Sequence, residues 1–381
     1  MFASFLAEKR ILVCAGSGGV GKTTTSAALA LEGARRGKKT LVMTIDPARR
    51  LANSLGLPRL DHEERQVPPV LLEAAGITGA APLFAMMLDQ QRAFDEVVEK
   101  HTKDPAVRAR IFNNRIYQQI SSALSGSHEY AAMAKLCQVE RTSDYELIIV
   151  DTPPAAHALD FLDAPRKISS AVDSPAIDWF SRPLRDGGEF SLKLIGRGGA
   201  FVLKRLTKFV GTGFLEDMGK FFVEAGDVLA GFRERATQVD ELLRSPAVGF
   251  VLVAAPERTI VDEALFFHQR LAAAKMPFCG FVVNRVHAAP PAPPTKEALT
   301  AALAADPGVA ATGLGPVELA RAADAILRSA ADVTELARAD ADQLRRLQGT
   351  LGPNQTLAQV PFLDHDVHDV AALAEVARFL V

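Results

Sequence analysis

The stretch GSGGVGKTT, residues 16–24, decides the fold of this chain. It contains the pattern G-x-x-x-x-G-K-[ST] as Gly16, Gly21, Lys22 and Thr23, between an apolar run and a helix-forming run. Glycines let consecutive backbone N–H groups point at a phosphate, Lys22 adds a positive charge, and the following helix presents its positive dipole end. Thr23 offers a hydroxyl to Mg²⁺. A plain glycine turn has no need of a Lys-Thr pair at a helix start, so the stretch predicts a triphosphate-binding loop rather than a dinucleotide-binding one.

Five short apolar runs, separated by helical stretches, predict the sheet that carries this loop. They are ILVCA at 11–15, TLVMTI at 40–45, ELIIVD at 146–151, VGFVLVAA at 248–255 and FCGFVVNRV at 278–286. Their apolarity is continuous rather than alternating, which is typical of parallel strands covered on both faces. The pattern predicts a doubly wound α/β fold with a mostly parallel sheet.

Composition and charge exclude several classes of protein. A length of 381 residues, 48% of them hydrophobic, is enough for one large α/β domain with insertions. The formal net charge is -2, from 43 basic and 45 acidic residues, which argues against nucleic acid as a partner. The N-terminus becomes charged too soon for a secretory signal, and no apolar run approaches 18 residues, so a cytoplasmic protein is expected.

The cysteines predict neither a disulfide framework nor a metal site. Cys14, Cys137 and Cys279 are odd in number and widely spaced along the chain. That pattern favours reduced core thiols.

Two helical segments interrupt the α/β pattern of a single domain that we expect to span residues 1–381. The first, 82–140, is predicted to be a helical insertion. The second, 165–245, contains a part at 190–214 with five basic residues, no acidic one and apolar residues at helical spacing. A basic amphipathic helix fits a hydrophobic membrane-protein client or an anionic membrane surface, where it would hold the protein peripherally. An ordinary two-faced helix of a helical subdomain explains the same pattern equally well.

Two aspartates follow predicted strands and point to phosphate chemistry. Asp46 lies in TIDPARR after the second strand, and Asp151 lies in VDTPP after the third. The carboxyl ends of parallel strands meet at one edge of an open sheet, so both should converge on the phosphates held by Lys22. Asp151 has the form of the acidic residue that orients the Mg²⁺ shell. Asp46 is then available to orient or deprotonate the attacking water.

Taken together, these motifs resemble the ArsA/Get family of dimeric ATPases, in particular its bacterial anion-transporting ATPase branch. The resemblance covers nearly the whole chain and is carried by GSGGVGKTT, TIDPARRLANSLG, DTPPAAHALDFLDAP, FVVNRV and QVPFLDHDV. It implies a P-loop NTPase fold, ATP as substrate, Mg²⁺ as cofactor and a nucleotide-driven dimer.

The resemblance also implies roles for individual residues. Asp46 is the catalytic aspartate of switch I, and switch II begins at Asp151, which with Thr23 belongs to the Mg²⁺ site. Asn284 reads adenine, with Pro361 and Phe362 beside the base. The residues implied to hold the phosphates are Gly18, Gly19, Val20, Gly21, Lys22, Thr23 and Thr24.

Ser17 departs from the family pattern. Family members typically carry a lysine there, which reaches across the dimer to the partner's phosphates, and a serine supplies no charge. The chain is then a slow homodimeric ATPase, or Arg49 or Arg50 replaces the charge, or the chain pairs with a paralogous ATPase that keeps the lysine. We favour the heterodimer slightly.

Two further functions compete with client handling. A regulatory or scaffold subunit that binds ATP with little turnover fits Ser17, whereas the intact Asp46 favours hydrolysis. A pump-driving ATPase for arsenite or another anion is disfavoured, because soft metalloids need clustered thiolates and the three cysteines are scattered.

Overall fold

The computed structural model of the chain describes residues 2–45, 49–115, 117–118, 127–153, 170, 221 and 224–381. Asp46, the residues 154–157 of the expected switch II and the basic segment 190–214 lie outside these ranges.

Eight strands in the described ranges form one sheet in the order β3-β4-β2-β5-β1-β6-β7-β8. The strands are β1 (Ile11–Gly16), β2 (Thr40–Thr44), β3 (Arg65–Gln66), β4 (Leu83–Met87), β5 (Leu147–Asp151), β6 (Val248–Ala254), β7 (Phe278–Val286) and β8 (Thr356–Pro361). All neighbouring pairs are parallel except the short β3, which is antiparallel to β4. The five predicted strands are present, and the predicted mostly parallel sheet is confirmed.

Helices connect the strands and cover both faces of the sheet. They are α1 (Ala3–Glu8), α2 (Lys22–Arg35), α3 (Arg50–Ser54), α4 (Pro69–Ala74), α5 (Gln90–His101), α6 (Pro105–Asn113), α7 (Ser127–Thr142), α8 (Gly226–Arg244), α9 (Arg258–Ala273), α10 (Lys296–Ala305), α11 (Pro307–Ala310), α12 (Pro316–Gln348) and α13 (Val370–Leu380). No helix in the described ranges has the length and apolarity that a membrane crossing requires.

The two faces of the sheet carry separate hydrophobic cores, which explains the continuous apolar runs. In β1, Val13 belongs to the core that includes helices α5, α7 and α8, whereas Leu12 and Cys14 belong to the core under α2 and α13. Side chains of a strand alternate between faces, so a strand buried on both sides must be apolar at every position. The doubly wound α/β fold is therefore confirmed.

The structure differs from the expected helical segment 82–140 at its start. Leu83–Met87 is strand β4, paired with β2 along its whole length, and the first helix after it begins at Gln90. Helix α8, from the second helical segment, packs against α5 and α7 from the first, with the Phe94 and Phe232 rings 5.3 Å apart. The described helices of both segments therefore share one layer. The extents of the two insertions otherwise remain predictions.

A polar cluster ties this helical layer to the loop before β3. The His62 ring accepts a hydrogen bond from the Asp89 backbone N–H at Nδ1, at 3.1 Å, and its Nε2 lies 3.0 Å from a Glu96 carboxylate oxygen. Lys135 donates to the same carboxylate at 3.1 Å. Burial alone would raise the pKa of Glu96, but the hydrogen bonds from His62 and Lys135 outweigh it and lower that pKa from 4.5 to about 2.

We expect Glu96→Gln to lower the free energy of unfolding at neutral pH by about 1.5–3 kcal/mol, the usual value of hydrogen bonds to a charged group. The stabilisation from a depressed carboxyl pKa is complete above pH 4.5 and is lost as the pH falls towards 2. The variant should therefore lose less stability than the wild type across that interval. Urea titrations at several pH values measure this difference. Glu99→Gln removes the same charge from an exposed position of α5 and should have little effect.

Candidate functional site

The phosphate loop lies at the carboxyl edge of the sheet, between β1 and α2. β1 is flanked by β5 and β6, so the loop opens in the middle of the sheet. A Cβ on Gly16 would lie 2.0 Å from the Val253 carbonyl oxygen of β6, so only glycine fits there. Gly18 and Gly19 are exposed, whereas the Val20 side chain is buried in the core. The loop backbone at Gly18 and Gly19 is therefore accessible to a ligand, and the buried Val20 side chain holds the loop against the core.

Lys22 is the first residue of α2 and its side chain folds back over the loop. Its ammonium donates a hydrogen bond to the Ser17 carbonyl at 2.7 Å, and the residue is only 8% exposed. Gly21, at the N-cap, has a left-handed φ of 95°, which suits glycine. The ammonium and the first N–H groups of α2 therefore both face the loop, which is the arrangement that anions bind.

Thr23 and Asp151 meet beside the loop, as the sequence predicts. The Thr23 hydroxyl donates to Asp151 Oδ2 at 2.8 Å, and the Thr44 hydroxyl donates to the same oxygen at 2.9 Å. Asp151 is the last residue of β5 and only 1% exposed, and it pairs in register with Cys14 of β1 and Thr44 of β2. Adjacent parallel strands therefore deliver these groups to one point.

The donor set fits Mg²⁺. A hydroxyl and a carboxylate are hard oxygen ligands, and Mg²⁺ commonly takes one or two protein ligands and completes its octahedron with water and phosphate. Within the described ranges, no group of three or more His, Cys, Asp or Glu residues could hold a metal ion. Thr23 and Asp151 are the residues that would hold Mg²⁺ here, with nucleotide phosphates supplying other ligands.

Two adjoining cavities form a continuous cleft above the loop. The first has a volume of about 460 Å³, and its lining includes Thr152 and the loop residues Gly19, Gly21, Lys22, Thr23 and Thr24. The second, of about 660 Å³, is lined by Asn284, Pro361 and Phe362. Both volumes lie in the usual range for small-molecule sites. The residues that line both cavities are Gly21, Thr24, Arg50, Arg285 and Val367.

Asn284 contacts the loop directly. Its Nδ2 donates to the Val20 carbonyl at 3.0 Å, and a Cβ on Gly21 would lie 2.2 Å from that nitrogen. The amide therefore sits between the loop and the second cavity. A role in reading adenine stays a prediction, and the position is compatible with it.

Pro361 and Phe362 line the second cavity, and their predicted place beside the adenine base stays a prediction. Phe362 is 60% exposed, and its ring stacks on the His287 ring with centroids 5.4 Å apart and planes 12° apart. Asp340, buried on α12, accepts hydrogen bonds from the His287 backbone N–H at 2.8 Å and its ring nitrogen at 2.9 Å. The structure thus offers a fixed aromatic surface to a planar ligand. Sequence reasoning missed His287 and Asp340 because 53 positions separate them.

Ser17 has an unexpected neighbour outside the cleft. Its hydroxyl donates to a carboxylate oxygen of Glu263, on helix α9, which is 246 positions away in the sequence. No local pattern links the two residues. The side chain at position 17 is therefore engaged within its own subunit.

Of the two arginines proposed to replace the missing lysine, only Arg50 lines the cleft. It contributes to both cavities, and Arg49 contributes to neither.

The cysteines are unsuited to binding a soft metalloid. All three are buried and free. Burial raises the pKa of the Cys14 and Cys279 thiols to about 12 and that of Cys137 to about 11, so all are protonated at neutral pH. Thiolate is the form that binds such ions. These thiols therefore give the arsenite alternative no support.

Comparison with known proteins finds similarity between part of this chain and ATPases. Residues 9–177 match the family model described as anion-transporting ATPase. The chain is 28% identical over 161 residues to ATPase GET3 of Malassezia globosa, a match that covers 42% of the chain and 44% of the relative. It is 29% identical over 157 residues to ATPase get3 of Schizosaccharomyces japonicus, covering 41% and 44%, and 29% identical over 166 residues to ATPase get3 of Aspergillus terreus, covering 43% and 45%. The chain thus matches less than half the length of these relatives.

Proposed function

We propose that the chain is a P-loop ATPase of the ArsA/Get family and that it binds and hydrolyses ATP in the cleft above residues 16–24, because residues 9–177 match the anion-transporting ATPase family model. The observation that carries the proposal is the convergence of Lys22, Thr23 and Asp151 at the end of the loop. A positive charge, a hydroxyl and a buried carboxylate at a helix N-terminus are the groups that a Mg²⁺-bound triphosphate needs.

Each part of the cleft then has a task in phosphoryl transfer. The loop N–H groups and Lys22 hold the terminal phosphates; Thr23 and Asp151 would hold Mg²⁺, and the ion would supply positive charge that neutralises the phosphates. Asp46, outside the described residues, orients the attacking water. Asn284 and the Phe362 surface hold adenine in the second cavity. Binding and positioning supply most of the catalysis, as is usual for this reaction.

We propose a dimer as the working form, with a paralogous lysine-bearing ATPase as the favoured partner. Ser17 supplies no cation, and its hydroxyl is bound to Glu263 of the same subunit. The partner's lysine would then complete the ATP site of this chain, whereas this chain would contribute no lysine to the ATP site of the partner. A homodimer is the alternative, and it would need another cation such as Arg50.

The names of the relatives and the basic segment 190–214 suggest what ATP hydrolysis could drive. Relatives that match about two fifths of the chain are named ATPase GET3. We propose a hydrophobic membrane-protein client or an anionic membrane surface as the partner of residues 190–214, in the cytoplasm or at the periphery of a membrane. Nucleic acid is not proposed, because the net charge is -2.

A regulatory or scaffold subunit is the second candidate function. The Ser17–Glu263 hydrogen bond favours it, since position 17 is committed to a structural contact rather than to a partner's phosphates. Such a subunit would bind ATP in the same cleft and hardly turn it over.

Steady-state ATP hydrolysis by the purified chain, measured over a range of protein concentrations with Asp46→Asn as the blank, tests the proposal. Turnover that rises more than proportionally with concentration and disappears in the blank supports a working homodimer. Binding of ATP without turnover supports a chain that needs a lysine-bearing partner or acts as a scaffold. Absence of ATP binding contradicts the proposal.

A further inference from the structure

A β-bulge interrupts β7 at the wall of the cleft. The register between β7 and β8 shifts between Val283 and Val286, so Asn284 and Arg285 fall outside the regular ladder. Arg285 has a φ of 63°, in the left-handed region that residues with a Cβ seldom adopt. Bulges beside a ligand site commonly redirect a side chain.

The bulge changes which side chains face the cleft. In a regular strand, consecutive residues point to opposite faces of the sheet. Here Asn284 and its neighbour Arg285 both line the second cavity, and Arg285 lines the first as well. A left-handed backbone costs roughly 1–2 kcal/mol for a residue with a Cβ, and such strain concentrates at functional sites. The bulge therefore brings an arginine to the cleft at an energetic cost.

The guanidinium of Arg285 is available to a ligand. The side chain is exposed, and it takes part in no hydrogen bond or ion pair with the described residues. Arg346, by contrast, pairs with Asp262, and Arg244 pairs with Asp240. An arginine that lines a cavity and has no partner among the described residues is suited to bind an anionic oxygen.

The position of Arg285 indicates which part of a bound ligand it would contact. It stands where the loop cavity, with Gly21 and Thr24, meets the cavity with Phe362. In a nucleotide that spans both cavities, the phosphate next to the ribose lies at this junction. We infer that Arg285 binds that phosphate, an inference that rests on the proposed ATP-binding function. The contact is the same for ATP, ADP and AMP, so it contributes to affinity and leaves turnover at saturation unchanged.

The variant Arg285→Asn tests the inference, because asparagine tolerates the left-handed backbone and carries no charge. Titration calorimetry should show Kd values for MgATP and MgADP that are about 10–100-fold higher than in the wild type, from loss of a charge-assisted contact. The KM should rise with an unchanged kcat. Arg285→Lys should lose less nucleotide affinity than Arg285→Asn, because lysine keeps the positive charge.

Lys275→Asn is the matched control. Lys275 also has a left-handed φ, of 56°, and is exposed at the end of α9, outside the cleft. It should bind both nucleotides like the wild type. Arg285→Gly, which accepts the same backbone freely, replaces the asparagine variant if that variant fails to fold.

The outcomes separate this inference from the function on which it rests. A wild type that binds nucleotide together with an Arg285→Asn variant of equal affinity overturns the inference and leaves the proposed function standing. An equal loss in Lys275→Asn also overturns it, because a general loss of charge would then explain the effect. A wild type that binds no nucleotide overturns both.

Discussion

A chain that carries Ser17→Lys together with Glu263→Gln is expected to hydrolyse ATP up to about 10³-fold faster than the wild type. A cation delivered to the transferring phosphoryl group contributes about 10³–10⁵ in turnover, and a lysine belongs at the lower end of that range. Steady-state hydrolysis at several protein concentrations measures the effect. The gain should increase with concentration, because in the proposed dimer the new lysine would act on the nucleotide of the partner subunit.

The second substitution is needed because of the neighbour of Ser17. The Ser17 hydroxyl donates to Glu263, so a lysine in its place would meet that carboxylate first and form an ion pair within its own subunit. The increase in ATP turnover should therefore be smaller for Ser17→Lys alone than for the double variant. Glu263→Gln alone is the control and should hydrolyse ATP at the wild-type rate. If the double variant is no faster than the wild type, the missing charge does not limit turnover.

The strands of this chain show which parts of a fold the sequence can predict. β1, β2, β5, β6 and β7 are buried on both faces, and their continuous apolar runs identify them directly. β8 carries Thr356 and Gln359 at the edge of the sheet, and β3 has two residues, so neither forms an apolar run. β4 is apolar but adjoins the helical stretch 90–113, which hid it.

The site was predictable where its residues sit on a motif or at a strand end. Lys22, Thr23 and Asp151 follow from the loop pattern and from the geometry of parallel strands, and in the structure Thr23 is hydrogen-bonded to Asp151. The role of Arg285 could not be predicted from the sequence, because it depends on a backbone conformation that the sequence NRV does not encode. The contact between Glu263 and Ser17 could not be predicted either, because the two positions are far apart in the chain.

The second large effect is expected from Asp151→Asn, which should lower ATP turnover by at least about 10²-fold. Asp151 contributes the buried carboxylate that would hold Mg²⁺, and the metal supplies several kcal/mol of charge stabilisation to phosphoryl transfer, where each 1.36 kcal/mol is tenfold. Asparagine keeps the shape and can still pair with the Thr23 and Thr44 hydroxyls, so the fold should survive. Circular dichroism verifies this.

The dependence of nucleotide affinity on Mg²⁺ distinguishes this role from a merely structural one. The wild type should bind ATP more tightly when Mg²⁺ is added, and Asp151→Asn should bind it with nearly the same affinity with or without the metal. Thr44→Val is the matched control, because it removes one hydrogen bond to the same carboxylate oxygen and leaves the charge in place. It should keep the response to Mg²⁺. Asp46→Asn should also keep that response while losing turnover, because its predicted task concerns the attacking water. If Asp151→Asn retained the full response to Mg²⁺, the metal would have to be held elsewhere, and the assignment of Thr23 and Asp151 would be wrong.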